Sequence, residues 1–284
     1  MIRIRVLNHN IRHETNEPFQ GELPWAERKQ LVLNELEYHT RGYSEAFICL
    51  QEVLQVQLED IEAGLNSTSM QKWAWVGVGR DDGKQAGEYS PIFYQPSAWE
   101  LLDWENVWLS ETPKVPSKGW DASSIRIVTI GIFKHRKTES TVLALNTHLD
   151  DQGSRARLEA ARILRAKIKE HQRGKYGPLI SGTFLAGDFN SEETQEAYLD
   201  ITEEGGLQDV YSLVPAIQRY GNHNTYTGFG YEEEPPSRID FVFLVPEGHR
   251  KWIVYGYSVL PNKFDDRILN SDHCAVVADL ALVG

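Results

Sequence analysis

Short apolar runs that stop at polar residues recur along this chain, and their spacing predicts most of its elements. Arg3 to Asn10 alternates as a strand, whereas Trp25 to His39 carries Leu31, Leu33 and Leu36 in a helical pattern. Ala46 to Leu50 is apolar throughout and ends at Gln51-Glu52, which predicts a buried strand. Leu58 to Leu65 predicts a second helix. In Trp73 to Val78, Trp73 and Trp75 fall on one face of a strand, Ala74, Val76 and Val78 on the other. Further strands are predicted over Tyr89 to Tyr94, Trp99 to Trp108, Ile125 to Lys134, Thr141 to Thr147 and Ile180 to Ala186. Ile239 to Val245, Trp252 to Val259 and Ala275 to Leu282 close the chain as strands. Helices are predicted over Gly153 to His171 and Thr194 to Ile201.

Three connections stand out. Residues 79–88 are polar and punctuated by glycine. The basic tip Lys134-His135-Arg136-Lys137 reads as a solvated hairpin turn. Residues 221–236 form a loop of glycine, aromatic and acidic residues, longer than a connector needs and therefore a candidate substrate rim. Many strands, few helices and no regular βαβ alternation in the middle predict an α/β fold: a four-layer sandwich of two mixed β-sheets flanked by helices. No repeat or linker-like break divides it, so residues 1–284 are expected to form a single domain.

Charge and cysteine content narrow the partners. The formal net charge is −12; such a chain repels long polyanions, so tight non-specific binding to duplex DNA is not expected, whereas a small or single-stranded phosphorylated substrate is compatible. Cys49 and Cys274 both lie in apolar runs, which argues against a disulfide framework and suits a reducing compartment. No apolar run approaches the roughly 18 residues of a membrane span, and Met1 to Val6 alternates as a strand instead of building a signal-peptide core. An intracellular location, cytoplasm or nucleus, is expected. Nothing in the pattern speaks to the oligomeric state.

The candidate chemistry lies where the strands stop. Gly187-Asp188-Phe189-Asn190-Ser191 follows the Ile180 to Ala186 run, so a carboxylate and a carboxamide emerge together at a strand end, where α/β proteins keep their chemistry. An aspartate there can orient a water or a metal while an asparagine donates to a developing oxyanion. The competing reading is a plain turn, since these residue types all favour turns. Asn10, Glu52, His148, Asp240 and Ser271-Asp272-His273 sit at other strand ends. Singly, Asn10 reads as a turn residue, His148 as a structural histidine and Asp240 as a cap or ion-pair partner. Together they supply hard oxygen ligands, a base, an orienting acid and oxyanion donors.

The ordered set Asn10-Ile11-Arg12, Leu50-Gln51-Glu52, Asn146-Thr147-His148, Gly187 to Ser191, Arg238-Ile239-Asp240 and Ser271-Asp272-His273 resembles the endonuclease/exonuclease/phosphatase superfamily of DNase I-like, metal-dependent phosphoesterases. The resemblance spans essentially the full length. Tyr89 to Tyr94, Trp108 to Pro113 and Gly119 to Ala122 look like a branch of small proteins within it. The resemblance implies Glu52 as principal ligand of Mg²⁺ or Mn²⁺, with Asn10 beside it and Asp272 from the opposite wall. It implies Asp188 as the group that orients or deprotonates water, with Asn190 bonding phosphate or nucleophile, and His273 held by Asp240 against the phosphate. His148 would contact the phosphate or assist the leaving group. The sequence leaves open whether Asp188 or His273 takes the proton and whether one or two metals act.

Arg126 and Arg157 are candidate phosphate contacts, with ordinary surface ion pairs as the competing reading. Tyr226, Phe229, Tyr231 and Trp120 could stack on a base or sugar or pack their loops onto the core. In this branch Arg126 usually follows proline and Asp150 usually precedes histidine; Ile125 and Asp151 stand there instead. These departures concern the substrate rim and leave the metal and nucleophile positions intact. The expected activity is hydrolysis of a phosphodiester, a nucleotide or short single-stranded nucleic acid, by in-line attack of water. The alternatives are a phosphomonoesterase acting on a small phosphorylated metabolite and a non-catalytic binding module.

Overall fold

In the computed structural model, which describes residues 1–68, 72–230, 235–246 and 251–283, the chain begins β1 (Ile2–Asn10), α1 (Trp25–Thr40), β2 (Ala46–Gln51), α2 (Gln55–Thr68). Next come β3 (Ala74–Val76), β4 (Ile92–Tyr94), β5 (Trp99–Trp108), β6 (Ile127–His135) and β7 (Thr141–His148). The middle holds α3 (Ser154–Arg173), β8 (Ile180–Asp188), α4 (Glu196–Ile201), β9 (Gln208–Asp209), α5 (Val210–Leu213) and β10 (Arg219–Gly221). The last strands are β11 (Asp240–Leu244), β12 (Lys251–Val259) and β13 (Val276–Val283). They form a seven-stranded sheet of order β10-β12-β13-β1-β2-β4-β3 and a six-stranded sheet of order β5-β6-β7-β8-β11-β9.

Burial sorts the apolar residues into three layers of core. Val6, Phe47, Ile92, Phe133, Phe184 and Val276 meet between the sheets. Leu7, Ile48 and Leu50 face outward from the first sheet onto Val32 and Leu36 of α1 and Leu58 and Ile61 of α2. Leu143, Leu145 and Phe243 face outward from the second onto Leu164 and Ile168 of α3 and Ala197 and Ile201 of α4. The result is the helix, sheet, sheet, helix sandwich expected from the pattern. Strands buried on both faces explain why several read as continuous apolar runs with no alternation.

Register decides where the chemistry gathers. β1 runs parallel to β2 with Asn10 opposite Gln51, and β7 parallel to β8 with His148 opposite Asp188. Antiparallel β11 starts with Asp240 opposite Asp188, and antiparallel β13 starts with Val276 opposite Asn8. The polar residues that end four strands and introduce two others are therefore brought to one edge of the sandwich.

Some elements differ from expectation. The Trp73 strand is only three residues long, although its faces fall as expected: Trp73 and Trp75 pack with the helical layer, Val76 and Ala74 between the sheets. Only residues 92–94 of the Tyr89 strand are regular, with Tyr89 making an isolated bridge to Val53. β8 continues through Asp188, so the aspartate rides on the strand itself. The basic tip is a turn, but His135 is buried against the Trp99 ring, centroids 5.2 Å apart, and not solvated. β9, α5 and β10 are too short to carry a periodicity. Cys49 and Cys274 are free and buried. Among the described residues, no helix is long and apolar enough to cross a membrane.

Candidate active site

Beneath the edge where the strands end, a layer of buried amides ties the two sheets together. Gln51 Nε2 donates to Asn8 Oδ1 at 2.8 Å and to Asn146 Oδ1 at 2.7 Å. Asn8 Nδ2 donates to the carbonyl of Gly187 at 3.2 Å, and Asn146 Nδ2 to those of Leu50 and Pro91 at 2.8 Å. All three side chains are fully buried, where an unpaired amide would be costly, so the network fixes the relative height of the sheets. Gly187 lets β7 and β8 approach there: a Cβ at that residue would sit 2.3 Å from the Thr147 carbonyl oxygen.

Above this layer is a cleft of about 440 Å³. Three residues that shape it turn through the left-handed region, which is uncommon for side-chain-bearing residues: Arg12 (φ 57°), Glu52 (φ 58°) and Asn190 (φ 44°). Asp188 is the hub. Its Oδ2 accepts from Asn10 Nδ2 at 2.9 Å and lies 3.5 Å from His148 Nε2 and 3.7 Å from His273 Nε2. His273 Nδ1 pairs with Asp240 Oδ2 at 2.8 Å. Asn190 Nδ2 donates to His148 Nε2 at 3.0 Å and to the Leu149 carbonyl at 3.1 Å. Accepting at Nε2 places the proton of a neutral His148 on Nδ1.

These neighbours set the protonation states. Burial and the Asp240 charge push Asp188 up to about 7, against the opposing pull of His273. Burial works against the His273 imidazolium, but Asp240 and Asp188 outweigh it and hold its pKa well above the ordinary value. His148, by contrast, is driven well below the ordinary value by burial and by Arg126. One histidine is thus a cation and the other neutral near pH 7, and the carboxylate between them is poised to take a proton there.

The structure brings together eight of the sequence-derived residues: Asn10, Glu52, His148, Asp188, Asn190, Asp240, Asp272 and His273. Arg126 and Tyr226 also line the cleft, the Tyr226 ring lying edge-on to His273 with centroids 5.1 Å apart. Arg157 does not line it: its Nε donates to Glu196 at 2.6 Å and its Nη1 to the Asp150 carbonyl at 3.1 Å, clamping α3 to α4. Trp120 is also outside the lining, and Phe229 is buried. Tyr231 lies outside the described residues. The Asn190 amide nitrogen has two acceptors here, His148 Nε2 and the Leu149 carbonyl, and its carbonyl oxygen is the polar atom left over. Sequence reasoning missed His13, Arg80 and Glu88, all of which line the cleft. The glycine-punctuated loop 79–88 was the available signal for the last two.

Two acidic groups are candidates for a cation. Asp188, Asp240 and His273 offer ligand atoms within 4.8 Å of one another, but a protonated imidazole already lies between those carboxylates. Glu52 and Asp272, the carboxylates expected from the sequence, also line the cleft. Burial and the neighbouring Glu52 charge raise the Asp272 pKa against the pull of His273, whereas His13, His148 and Arg12 overcome burial and hold Glu52 low; carboxylate oxygens suit Mg²⁺ or Mn²⁺. Asn10, expected as a ligand beside Glu52, sits between the two carboxylates Glu52 and Asp188. Its Nδ2 bridges Glu52 Oε1 (3.0 Å) and Asp188 Oδ2 (2.9 Å), and its oxygen accepts the Arg12 backbone N–H. His13 holds the outer Glu52 oxygen through its backbone N–H at 3.2 Å and its ring Nδ1.

Known proteins resemble the chain over nearly its whole length. The model of the Endonuclease/Exonuclease/phosphatase family matches residues 7–273. The crystal structure of an endonuclease/exonuclease/phosphatase from Bacteroides vulgatus is 34% identical over 100% of both chains, with a TM-score of 0.84. A mannosyl-6-phosphatase from Bacteroides thetaiotaomicron is 32% identical, covering 98% of this chain and 99% of its own, with a TM-score of 0.82. The human Nocturnin catalytic domain with bound sulfate is 20% identical over 99% and 95% with a TM-score of 0.68, a likeness of fold. No curated protein matches the chain.

Proposed function

The chain belongs to the endonuclease/exonuclease/phosphatase family, and on that premise we propose that it is a metal-dependent hydrolase of the phosphomonoester of a small metabolite. The observation that carries a hydrolytic reading is the convergence of Asn10, His148 and His273 on one oxygen of Asp188. The size of the cleft, about 440 Å³, suits a small ligand, and the acidic chain disfavours a long polyanion. The full-length likeness to a mannosyl-6-phosphatase supports a monoester over the diester first expected. The phosphodiester reading stands second, favoured by the Tyr226 ring beside His273, a surface on which a base could stack. The binding-module alternative is weaker, because the carboxylate with its pKa near 7 and the His273–Asp240 pair are both intact.

In this reading Asp188 accepts the proton of the attacking water, while Asn10 holds its oxygen in place and the Asn190 carbonyl oxygen orients the second O–H. The His273 imidazolium, kept charged by Asp240, donates to a phosphoryl oxygen as negative charge builds. Glu52 and Asp272 would hold Mg²⁺ or Mn²⁺, which supplies charge neutralisation at the phosphoryl group. Arg12, ion-paired to Glu22 through Nε at 3.2 Å, adds a fixed positive charge at the same wall.

The test compares inorganic phosphate released from p-nitrophenyl phosphate with cleavage of bis(p-nitrophenyl) phosphate. Each is run with Mg²⁺ or Mn²⁺ and with chelator, for wild type and Asp188→Ala. Metal-dependent turnover of the monoester, lost in the variant, is expected. Preference for the diester would return the nucleotide reading to first place, and turnover of neither would leave the binding module.

A further inference from the structure

One buried cation lies behind the site and outside its lining. Arg28 stands in the first turn of α1, where a positive charge opposes the helix dipole. Its side chain is fully buried, where a charge is costly unless it is well bonded. Neither helix formation nor solvation accounts for an arginine there. Its bonds do: Nε donates to the Leu23 carbonyl at 2.9 Å, Nη1 to those of Ile11 at 2.9 Å and Asn270 at 2.7 Å, and Nη2 to that of Arg12 at 3.2 Å. A carboxylate is more distant, with Glu22 Oε1 3.9 Å from Nη2.

The carbonyls it holds belong to the segments that build two walls of the cleft. Ile11 and Arg12 follow β1. Arg12 N donates to Asn10 Oδ1 at 3.0 Å and His13 N to Glu52 Oε2 at 3.2 Å, so this turn places the Glu52 wall. Asn270 leads into Asp272-His273. Next to it, Ser271 Oγ donates to the Asn10 carbonyl at 2.7 Å and accepts from the His273 N–H at 3.2 Å. A single nitrogen of Arg28, Nη1, therefore bonds both segments. Glu35 lies roughly two turns further along α1 and takes the same asparagine by its side chain, Oε2 accepting from Asn270 Nδ2 at 3.2 Å. A lysine does not reproduce this grip, because an ammonium offers its donors from one point and not as a planar fork.

We propose that Arg28 is a positioning residue of the hydrolytic site: by tying the turn after β1 to the loop before β13, it fixes the spacing between the Glu52 wall and the Asp272-His273 wall. This rests on the hydrolytic reading, for a monoester or a diester alike. Hydrolysis needs groups from both walls aligned on one phosphoryl centre, and a misplacement of about 1 Å costs on the order of 100-fold in rate. Without the fork the walls keep the bond from Ser271 to Asn10 but lose the anchor they share. The groups that bind substrate are still present, so the loss falls on kcat more than on KM.

The test measures kcat and KM for p-nitrophenyl phosphate, or for its diester if wild type prefers that, in Arg28→Lys, Arg28→Met and Leu36→Ala, each well below its own Tm. Leu36 is buried under the same helix, so its truncation destabilises α1 while removing no bond of Arg28. Leu36→Ala should keep kcat within about 3-fold of wild type. Both Arg28 variants should lose about 30-fold or more in kcat, with KM changed by less than about 3-fold. A kcat loss in Arg28→Lys no larger than that in Leu36→Ala, or an effect confined to KM, overturns the proposal. If neither Arg28 variant folds, Glu35→Gln decides, since it weakens the hold on Asn270 and leaves the guanidinium in place: kcat lower by about 5-fold or more at a near-wild-type Tm supports the role, and unchanged kcat overturns it. If wild type turns over neither ester, the proposed function fails, and Arg28 is judged from the ring-nitrogen NMR signals of His273, assigned with His273→Gln. Signals moved in Arg28→Lys and not in Leu36→Ala keep Arg28 as the anchor of the two walls, and signals alike in wild type and both variants remove it.

Discussion

A single ring, that of His273, spans two carboxylates: its Nδ1 meets Asp240 at 2.8 Å and its Nε2 lies 3.7 Å from Asp188. The same Asp240 charge raises the pKa of His273 and that of Asp188. With Asp188 as base and His273 as the protonated partner, kcat/KM should rise with pH through about 7 and fall again at higher pH as His273 loses its proton. Asp240→Asn should move both limbs to lower pH. An acid limb that stays in place in this variant would take the base role from Asp188.

Asp188 also makes a claim on stability. In the folded protein it keeps a proton up to about pH 7, whereas an unfolded aspartate releases it near about 3.9. Between those values the folded state binds more protons, so its stability falls as pH rises. Asp188→Asn should therefore abolish turnover yet raise Tm at pH 8, by roughly 2–8 °C, with little change near pH 4. Thermal melts of both proteins at the two pH values check it.

Removing the centre of the buried amide layer should cost stability and activity together. Gln51→Ala leaves the Asn8 and Asn146 oxygens without the donor they share, for about 2–4 kcal/mol and a Tm lower by roughly 5–10 °C. Asn8 holds the Gly187 carbonyl, one residue before Asp188, so kcat should fall while KM changes less. A Tm within 1–2 °C of wild type, roughly the effect of an ordinary surface substitution, would show that the sheets keep their height without the strut.

Glu52→Gln should lower kcat/KM at least about 100-fold in saturating Mg²⁺, and the variant should lose any rise in Tm that Mg²⁺ gives wild type. Chelator should silence wild type, with recovery on adding Mg²⁺ or Mn²⁺. An undiminished Mg²⁺-induced Tm rise in Glu52→Gln would move the metal to another acidic group.

Gly187→Ala should be among the most damaging single-methyl changes in the protein, since the added carbon meets the Thr147 carbonyl at 2.3 Å between two buried parallel strands. Reduced soluble yield and a Tm loss larger than that of Gly205→Ala, where a Cβ meets nothing within 4 Å, are the expected outcomes.

The layered fold was legible because strands buried on both faces leave long apolar runs, and because each run stops where its polar residue is needed. Asn10, Glu52, His148 and Asp188 announced themselves among the polar residues that end such runs. Asp240, the first residue of β11, and Asp272-His273, before β13, did so in mirror image. Residues whose role depends on a loop's path were not legible. His13 reaches Glu52 only because Arg12 turns through a positive φ, and Arg80 and Glu88 face inward only because loop 79–88 folds back on itself. The same blindness misassigned Arg157, whose partner Glu196 lies on another helix, and Trp120. Gln51 and Asn146 stood inside recognised motifs, yet nothing local tells a strut from a ligand.

The pairing of β1 with β13, Ile2 opposite Leu282 in the interior of the seven-stranded sheet, has a consequence for how the protein is made. On the ribosome β1 can pair early with β2, but its other edge stays open until β13 emerges. Such long-range closure is slow and leaves a sticky edge exposed meanwhile. The cleft inherits this timing: Asn10 is made well before Asp272-His273, so a chain not yet extended through β13 lacks one wall of it.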